Sequence, residues 1–214
     1  MNFQSKDRKI WFVSDLHMGH AKDFILNPRN YANVEEATEH MWRALEETIG
    51  PDDIVINLGD AVVGAGLNSV NYAKRITRLV CKRQFYLWGN HNAGMKDLYN
   101  SAIAEQYPTI PSDCYIYPLD YPQSSFTFLG DYAEIFIDKI PIVLTHYPIA
   151  SWNYMSKGGY NIHGHCHRNM KEDLTLKRID VGWEWKRGPV EWADIHRELH
   201  SRKSVAPDHH GPGV

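Results

Sequence analysis

Residues 9–17 read KIWFVSDLH, a short apolar run that ends in a polar turn. Such a run predicts a buried strand over residues 9–14. Two similar runs follow, DIVINLGD at residues 53–60 and QFYLWGN at residues 84–90. Helical segments separate the three strands, so the first half of the chain is predicted to fold as β-α-β-α-β, a sheet with helices packed against it.

The segment between the first two strands has the pattern of an amphipathic helix. Asn33 is placed to cap this helix, and Glu36 follows three residues later as in a capping box. Apolar residues recur at helical spacing until Gly50, where the helix is expected to end. A second helix is predicted over residues 69–80.

The second half of the chain is predicted to be richer in strands. Successive apolar segments joined by short turns predict strands at residues 126–138, 139–148, 160–165 and 176–183. A closing helix is predicted over residues 188–200.

The composition is that of an ordinary globular protein. The chain of 214 residues is 43% hydrophobic and 23% charged with a net charge of −3, which gives no broad surface for nucleic acid or an anionic membrane. Three cysteines without a CxxC pair favour a reducing compartment, and no apolar run is long enough for a signal peptide or a membrane span. We expect a cytoplasmic protein with no membrane partner, formed by one domain over residues 1–205 and a disordered tail over residues 206–214.

Side chains of the types that bind metals follow five of the predicted strands. They are Asp15 and His17, Asp60, Asn90 and His91, His146, and His165 and His167. A single aspartate or histidine at a strand end is typically a turn former or a structural hydrogen-bonding group. Loops at the carboxyl ends of strands converge on one edge of a sheet, so five such ends carrying only Asp, Asn and His favour a common site.

The stretch YNIHGHCHRNM at residues 160–170 contains three of the histidines at every second position. His165 and His167 would share one face of a strand, but Gly164 before them suggests a turn. From these residues alone, a metal site and an exposed strand end remain alternatives.

The five segments, DLH, GD, GNH, THYP and GHCH, resemble in their order the pattern of the calcineurin-like metallophosphoesterases. The resemblance extends over about residues 10–185. The sequence segments SDLHMGH, LGD, HYP and HGHCH are similar to those of the compact bacterial and phage-type members. It implies an α/β fold, a four-layer α/β/β/α sandwich of two mixed β-sheets flanked by helices. The site would lie at the loop edge.

The resemblance also implies two divalent metal ions held by seven side chains. It assigns Asp15, His17, Asp60 and His167 to one ion and Asp60, Asn90, His146 and His165 to the other. Asp60 would bridge the two ions, and a hydroxide held between them would be the nucleophile. Mixed nitrogen and oxygen donors suit manganese, the expected metal, or iron, nickel or zinc. His163 would stay with the strand, and Cys166 is interpreted as a packing residue.

His91 resembles the family's general acid, with Asn90 beside it as the second residue of catalytic importance. A structural role for His91 is the alternative. Many relatives continue GNH with an acidic residue, whereas this chain has Asn92. If such a carboxylate raises the basicity of the histidine in those relatives, this chain lacks it or supplies it from another segment.

Four residues are candidates for substrate contacts, and each has a structural alternative. His20 could touch the substrate phosphate or could pack, and Arg29 offers a forked phosphate donor or is a surface arginine. Trp152 and Lys157 belong to SWNYMSKGGY, which could form a substrate wall or simply anchor a loop.

The expected activity is hydrolysis of phosphate esters. GD continues as GDAVVGAG rather than as the Asp-Arg-rich signature of protein phosphatases, which favours a small-molecule or nucleotide phosphodiesterase. A phosphomonoesterase or a nuclease is the alternative, so nucleic acid remains possible as a substrate. A scaffold for protein–protein contact is the alternative from another class, but such a scaffold has no need of all seven ligands and His91.

Overall fold

The computed structural model describes residues 1–64, 66–110, 115–122 and 124–203. The strands are β1 (Asn2–Phe3), β2 (Ile10–Val13), β3 (Ile54–Asn57), β4 (Arg83–Leu87), β5 (Leu119–Asp120), β6 (Phe126–Gly130), β7 (Tyr132–Ile137), β8 (Ile140–Thr145), β9 (Tyr160–His163), β10 (Arg178–Asp180) and β11 (Val190–Glu191). The helices are α1 (Asp23–Arg29), α2 (Val34–Thr48), α3 (Leu67–Thr77), α4 (Met95–Gln106) and α5 (Trp192–His200). The expected tail over residues 206–214 lies outside the described residues.

The strands form two mixed sheets. The first has the order β11-β2-β3-β4-β6-β5, in which β2, β3, β4 and β6 are parallel and the two edge strands are antiparallel to their neighbours. The second has the order β1-β7-β8-β9-β10, with an antiparallel pair between β7 and β8. Two mixed sheets flanked by helices confirm the predicted fold class.

The alternation of side chains along β2 joins the layers. Ile10 and Phe12 pack in one cluster with residues of the second sheet, such as Ile162. Val13 points to the opposite face and packs in the cluster that contains Met41 of α2. Since successive side chains of a strand face opposite ways, one central strand supplies both the core between the sheets and the core beneath the helices.

The predicted first helix is confirmed as α2. Asn33 caps it as expected, because Asn33 Oδ1 accepts from Glu36 N at 2.8 Å. Glu36 Oε2 accepts from Ala32 N at 2.7 Å, one residue before the position that a capping box requires. The second helix differs from its predicted bounds of residues 69–80, since α3 ends at Thr77.

One prediction for the second half is wrong. The sequence predicts one strand over residues 126–138, but the structure divides them into β6 in the first sheet and β7 in the second. Gly130, the last residue of β6, has a φ of 90°, a left-handed conformation that glycine adopts without steric strain. The chain therefore changes sheets at this residue. No helix among the described residues has the length and apolarity needed to cross a lipid bilayer.

Candidate metal centre

The loops that follow β2, β3, β4, β8 and β9 meet at one edge of the two sheets. The loop after β2 is tied to the loop after β3, because Asp15 N donates to Gly59 O at 3.1 Å and His17 N donates to Asp60 O at 2.9 Å. The loop after β9 is tied to both sheets, since Gly164 N donates to His146 O and His165 N donates to Asp15 Oδ2. The topology thus gathers all seven predicted ligands.

Five of these seven residues have a left-handed backbone. The φ angles are 56° for Asp15, 55° for His17, 51° for Asp60, 69° for His165 and 48° for His167. Non-glycine residues adopt this conformation infrequently, and such strain concentrates at functional sites. The backbone here turns each side chain towards the shared edge.

The first donor group lies around Asp15. His17 Nε2 is 3.9 Å from Asp15 Oδ1 and 3.5 Å from Asp60 Oδ2, and His167 Nε2 is 3.8 Å from Asp15 Oδ1. Donor atoms that share one ion at about 2.1 Å lie at most about 4.2 Å apart. The three pairs meet that limit, and Asp15, His17 and His167 offer donor atoms that all lie within 4.8 Å of one another.

The second donor group lies around Asn90. Asn90 Oδ1 is 3.0 Å from His146 Nε2 and 2.9 Å from His165 Nδ1, and His146 Nε2 is 3.5 Å from Asp60 Oδ2. His146 Nδ1 lies 2.7 Å from Leu58 O and donates to it, which leaves Nε2 for the site. A carboxylate, an amide oxygen and an imidazole lone pair thus converge, and either a proton or a cation must lie between them.

Buried polar atoms in this centre lack protein partners. Among the residues that the structure describes, Asp15 Oδ1 and His17 Nε2 find no hydrogen-bond partner, although both are shielded from solvent. Burial raises the pKa of Asp15 to about 6 and lowers the pKa of His17 to about 2, because a charge is poorly solvated there. A cation would compensate the Asp15 carboxylate, and neutral His17 is in the form that binds metals. The donor set therefore fits divalent ions.

Two glycines allow the loops to approach so closely. A Cβ atom at position 89 would collide with the Asp60 carboxylate, and one at position 164 would collide with Ser14. Gly89 and Gly164 are the glycines of the GNH and GHCH segments. Their lack of a side chain lets the loops after β4 and β9 reach the carboxylates of the first sheet.

The structure adds Glu184 to the site, a residue that the sequence analysis missed. Glu184 Oε1 accepts from His167 Nδ1 at 2.8 Å, which leaves His167 Nε2 towards Asp15. Burial lowers the pKa of His167, but this hydrogen bond outweighs burial and raises that pKa above its ordinary value. Glu184 directly follows the predicted strand at residues 176–183, so the signal that identified the other ligands was present here too.

The sequence predicts Arg29 to be either a phosphate donor or a surface residue, and the structure places it in a third environment. Its side chain is buried rather than on the surface. Its guanidinium donates to Asp15 O at 2.6 Å, to Leu16 O at 2.9 Å and to Glu184 Oε1 at 2.8 Å. These bonds hold the left-handed loop after β2, so the guanidinium supports this loop rather than offering its fork to a phosphate.

Trp152 and Lys157 do not form the expected substrate wall. Trp152 is buried and its Nε1 donates to Gly159 O, so the ring anchors its own loop. Lys157 lies over the Tyr154 ring, which contacts Phe136. Phe136 pairs with Pro141 near the start of β8, whereas His146 of the second donor group follows the end of β8. The contact of Lys157 and Tyr154 with Phe136 is therefore at the far end of this strand from the donor groups.

His20 and His91 lie at the mouth of the centre. The Nδ1 atoms of His20 and His17 are 3.1 Å apart. The exposed His91 is held through its backbone, because His91 N donates to Asp60 Oδ1 at 2.8 Å, and its ring centre is 5.3 Å from that of His17. The Asn92 side chain is bonded to both the N–H and the carbonyl of Gly89, so it stiffens the loop that carries His91.

His163 is directed away from the donor groups. It is buried, its Nδ1 lies 2.8 Å from Gly164 O, and it shares a separate cluster with Cys166 and Asp180. Cys166 thus points away from the two histidines that flank it, as expected.

We predict that His165→Ala and His167→Ala each lose one bound ion, because each removes a nitrogen from one donor group. His163→Ala is the matched control and should keep full metal content while losing stability. Metal content after dialysis, measured by elemental analysis, tests this. Loss of metal from His163→Ala with full content in His165→Ala would contradict the assignment of the histidines.

Comparisons with known proteins place this geometry in context. The model of the calcineurin-like phosphoesterase family matches residues 8–213. The Gene 66 protein of Mycobacterium phage D29 is 27% identical over 183 residues, which cover 81% of this chain and 86% of that protein. The uncharacterized protein MJ1445 of Methanocaldococcus jannaschii is 25% identical over 183 residues, covering 83% and 82%. The crystal structure of AQ665, a protein of unknown function from Aquifex aeolicus, has a TM-score of 0.61 at 20% identity and shares the fold over 89% of this chain and 98% of that one.

Proposed function

The chain belongs to the calcineurin-like phosphoesterase family of metal-dependent hydrolases, and on that premise we propose that it is a phosphodiesterase with a binuclear centre. Its substrate would be a small-molecule or nucleotide diester. The convergence of six other donor side chains around Asp60 is the strongest support, because the Oδ2 atom of Asp60 lies 3.5 Å from a histidine of each donor group. One carboxylate between two donor groups is the arrangement that two neighbouring cations need.

Manganese is the metal that we propose, with iron, nickel or zinc as alternatives. The seven donors are imidazole nitrogens and carboxylate or amide oxygens, and none is a thiolate, a set that suits these ions. When bound, such ions supply a water that loses its proton near neutral pH, and they offset the negative charge of the phosphoryl group.

The protein groups would orient the ester and supply the proton. We assign His91 as the catalytic acid that protonates the departing oxygen, because its ring is exposed at the mouth of the centre while its backbone is fixed on Asp60. Asn90 would help to hold the second ion, since its Oδ1 atom lies beside His146 Nε2 and His165 Nδ1. His20 stays a candidate for phosphate contact, because it borders both His17 and His91.

A diester is favoured over a monoester by the environment of Arg29. A monoester carries a second negative charge, which is commonly matched by a forked arginine. Arg29 borders the centre, but its guanidinium bonds to backbone carbonyls and to Glu184. A phosphomonoesterase or a nuclease of the same fold remains the alternative.

We predict that metal-free protein reloaded with Mn²⁺ hydrolyses bis(para-nitrophenyl) phosphate with a kcat/KM at least about tenfold above that for para-nitrophenyl phosphate, a difference of about 1.4 kcal/mol. Parallel reloading with Fe²⁺, Ni²⁺ and Zn²⁺ tests the metal, and cyclic nucleotides and short oligonucleotides test the substrate class. A higher kcat/KM for the monoester would make the protein a phosphomonoesterase. Absence of turnover with every metal would refute the proposed function.

A further inference from the structure

An open cavity of about 310 Å³ lies beside the loop that carries Asn90 and His91. Its aromatic lining consists of Trp88, Tyr99, Tyr115 and Tyr117. The volume is at the lower end of the range of about 300–1,000 Å³ that is typical of small-ligand sites. Aromatic walls of this kind suit a flat, unsaturated ring.

The cavity follows the same sheet edge as the metal centre, about one strand farther along. Trp88 comes directly after β4, two residues before Asn90. Its backbone N–H donates to Gly130 O at the end of β6. β4 and β6 are parallel neighbours. Adjacent strands lie about 4.8 Å apart, so the loops after β4 and β6 are neighbours at this edge. Asn92 of the cavity wall directly follows His91 in the chain. A ligand whose ring occupied the cavity would therefore direct its phosphate towards the metal centre.

The inner rings of the cavity are fixed and the outer one is free. Trp88 is buried, stacks on Phe128 with an interplanar angle of 22°, and donates through Nε1 to the Tyr117 hydroxyl. The Tyr99 hydroxyl accepts from Ile116 N at 2.7 Å. By contrast, 64% of Tyr115 is exposed.

The exposed ring is already aligned for stacking. The Tyr115 plane lies 22° from that of Tyr117 and 25° from that of Tyr99, with ring centres 6.2 Å apart in both pairs. Tyr115 is thus stacked on both Tyr99 and Tyr117, which are tilted by 36° to each other, and its exposed ring can serve as a platform for one flat group. Such stacking tolerates every nucleobase but is strongest for large ring systems.

The polar lining adds one donor and one acceptor. Lys96, in the first turn of α4, and Asp131, directly after β6, are both exposed at the cavity rim. An ammonium group can donate to a ring nitrogen, and a carboxylate can accept from an exocyclic amino group. Asn92 completes the wall, but its amide is engaged with Gly89. A purine that carries an amino group matches this pattern.

We infer that this cavity binds the purine base of a nucleotide diester whose phosphate lies at the metal centre. This inference rests on the proposed function and specifies its substrate class. The nucleoside side of the ester would stack on Tyr115, and the base edge would meet Lys96 and Asp131.

Two esters with the same leaving group test the inference. The para-nitrophenyl ester of AMP contains the base, and methyl para-nitrophenyl phosphate lacks it. In Tyr115→Ala, the ratio of kcat/KM for the AMP ester to that for the methyl ester should fall about tenfold. Tyr115→Phe should keep the ratio, because it keeps the ring. Tyr107→Ala is the matched control, since this tyrosine is 38% exposed at the opposite end of α4.

A binding experiment separates this inference from the proposed function. Calorimetric titration of metal-free protein with adenosine should show binding that weakens about tenfold in Tyr115→Ala. If neither ester is hydrolysed by the wild type, the proposed function fails and this titration alone decides about the cavity. An unchanged ester ratio in Tyr115→Ala, an equal fall in Tyr115→Phe, or, without turnover, absence of adenosine binding would overturn the inference.

Discussion

Asp60→Asn is expected to lower kcat/KM for a diester by about a thousandfold or more, since loss of the ions removes several kcal/mol of transition-state stabilisation. Asp60 Oδ2 lies 3.5 Å from both His17 Nε2 and His146 Nε2, and Oδ1 accepts from His91 N. Burial raises the pKa of Asp60, but the bond with His146 and the neighbouring charges hold that pKa below its ordinary value. The Asp60→Asn substitution therefore replaces an ionised carboxylate with a neutral amide of the same shape.

The amide fails for two reasons. It brings no negative charge to offset the repulsion between two cations, and one of its two polar atoms is a donor that faces a cation. We expect metal content to fall together with activity, while the fold is retained because the volume is unchanged.

Metal analysis, circular dichroism and kcat/KM for bis(para-nitrophenyl) phosphate measure these effects together. Asp52→Asn is the matched control, because Asp52 is exposed in the turn before β3 and should keep both metal and activity. An Asp60→Asn protein with full metal content and near-normal turnover would refute the binuclear assignment.

The positions of the candidate ligands can be predicted because each depends on a local pattern. A short apolar strand, a glycine and a polar residue at the strand's end are visible in the sequence, and parallel strands bring such ends together. Gly89 and Gly164 are examples, since the close approach of their loops requires glycine. These features need no knowledge of which distant segments pack together.

The surroundings of the ligands depend on contacts between distant segments, and there the sequence was less informative. Arg29 reads as a surface or substrate residue, but α1 folds it under the loop after β2, where it meets Glu184 of a distant segment. Trp152 reads as a possible stacking face, but it fills a small core of its own loop with Val143 and Met155. The aromatic cavity likewise joins Trp88 to Tyr115 and Tyr117, which no local pattern connects.

His91→Asn is expected to separate activated from unactivated esters. Nitrophenolate leaves without a proton, whereas an alkoxide such as a ribose oxygen needs one. The variant should therefore keep both ions and much of its rate on bis(para-nitrophenyl) phosphate. On a dinucleotide, its kcat/KM should fall about a hundred- to ten-thousandfold, the range that general acid catalysis typically supplies.

The position of His91 makes this separation possible. Its ring is exposed and offers a nitrogen within 4.8 Å of donor atoms of His17 and Asp60, while its backbone N–H donates to Asp60 Oδ1. An asparagine keeps that N–H, so the carboxylate is still held when the imidazole is lost. His200→Asn is the matched control, an exposed histidine in the last turn of α5. Equal loss on both esters, with the ions retained, would show that His91 holds the phosphate rather than donating a proton.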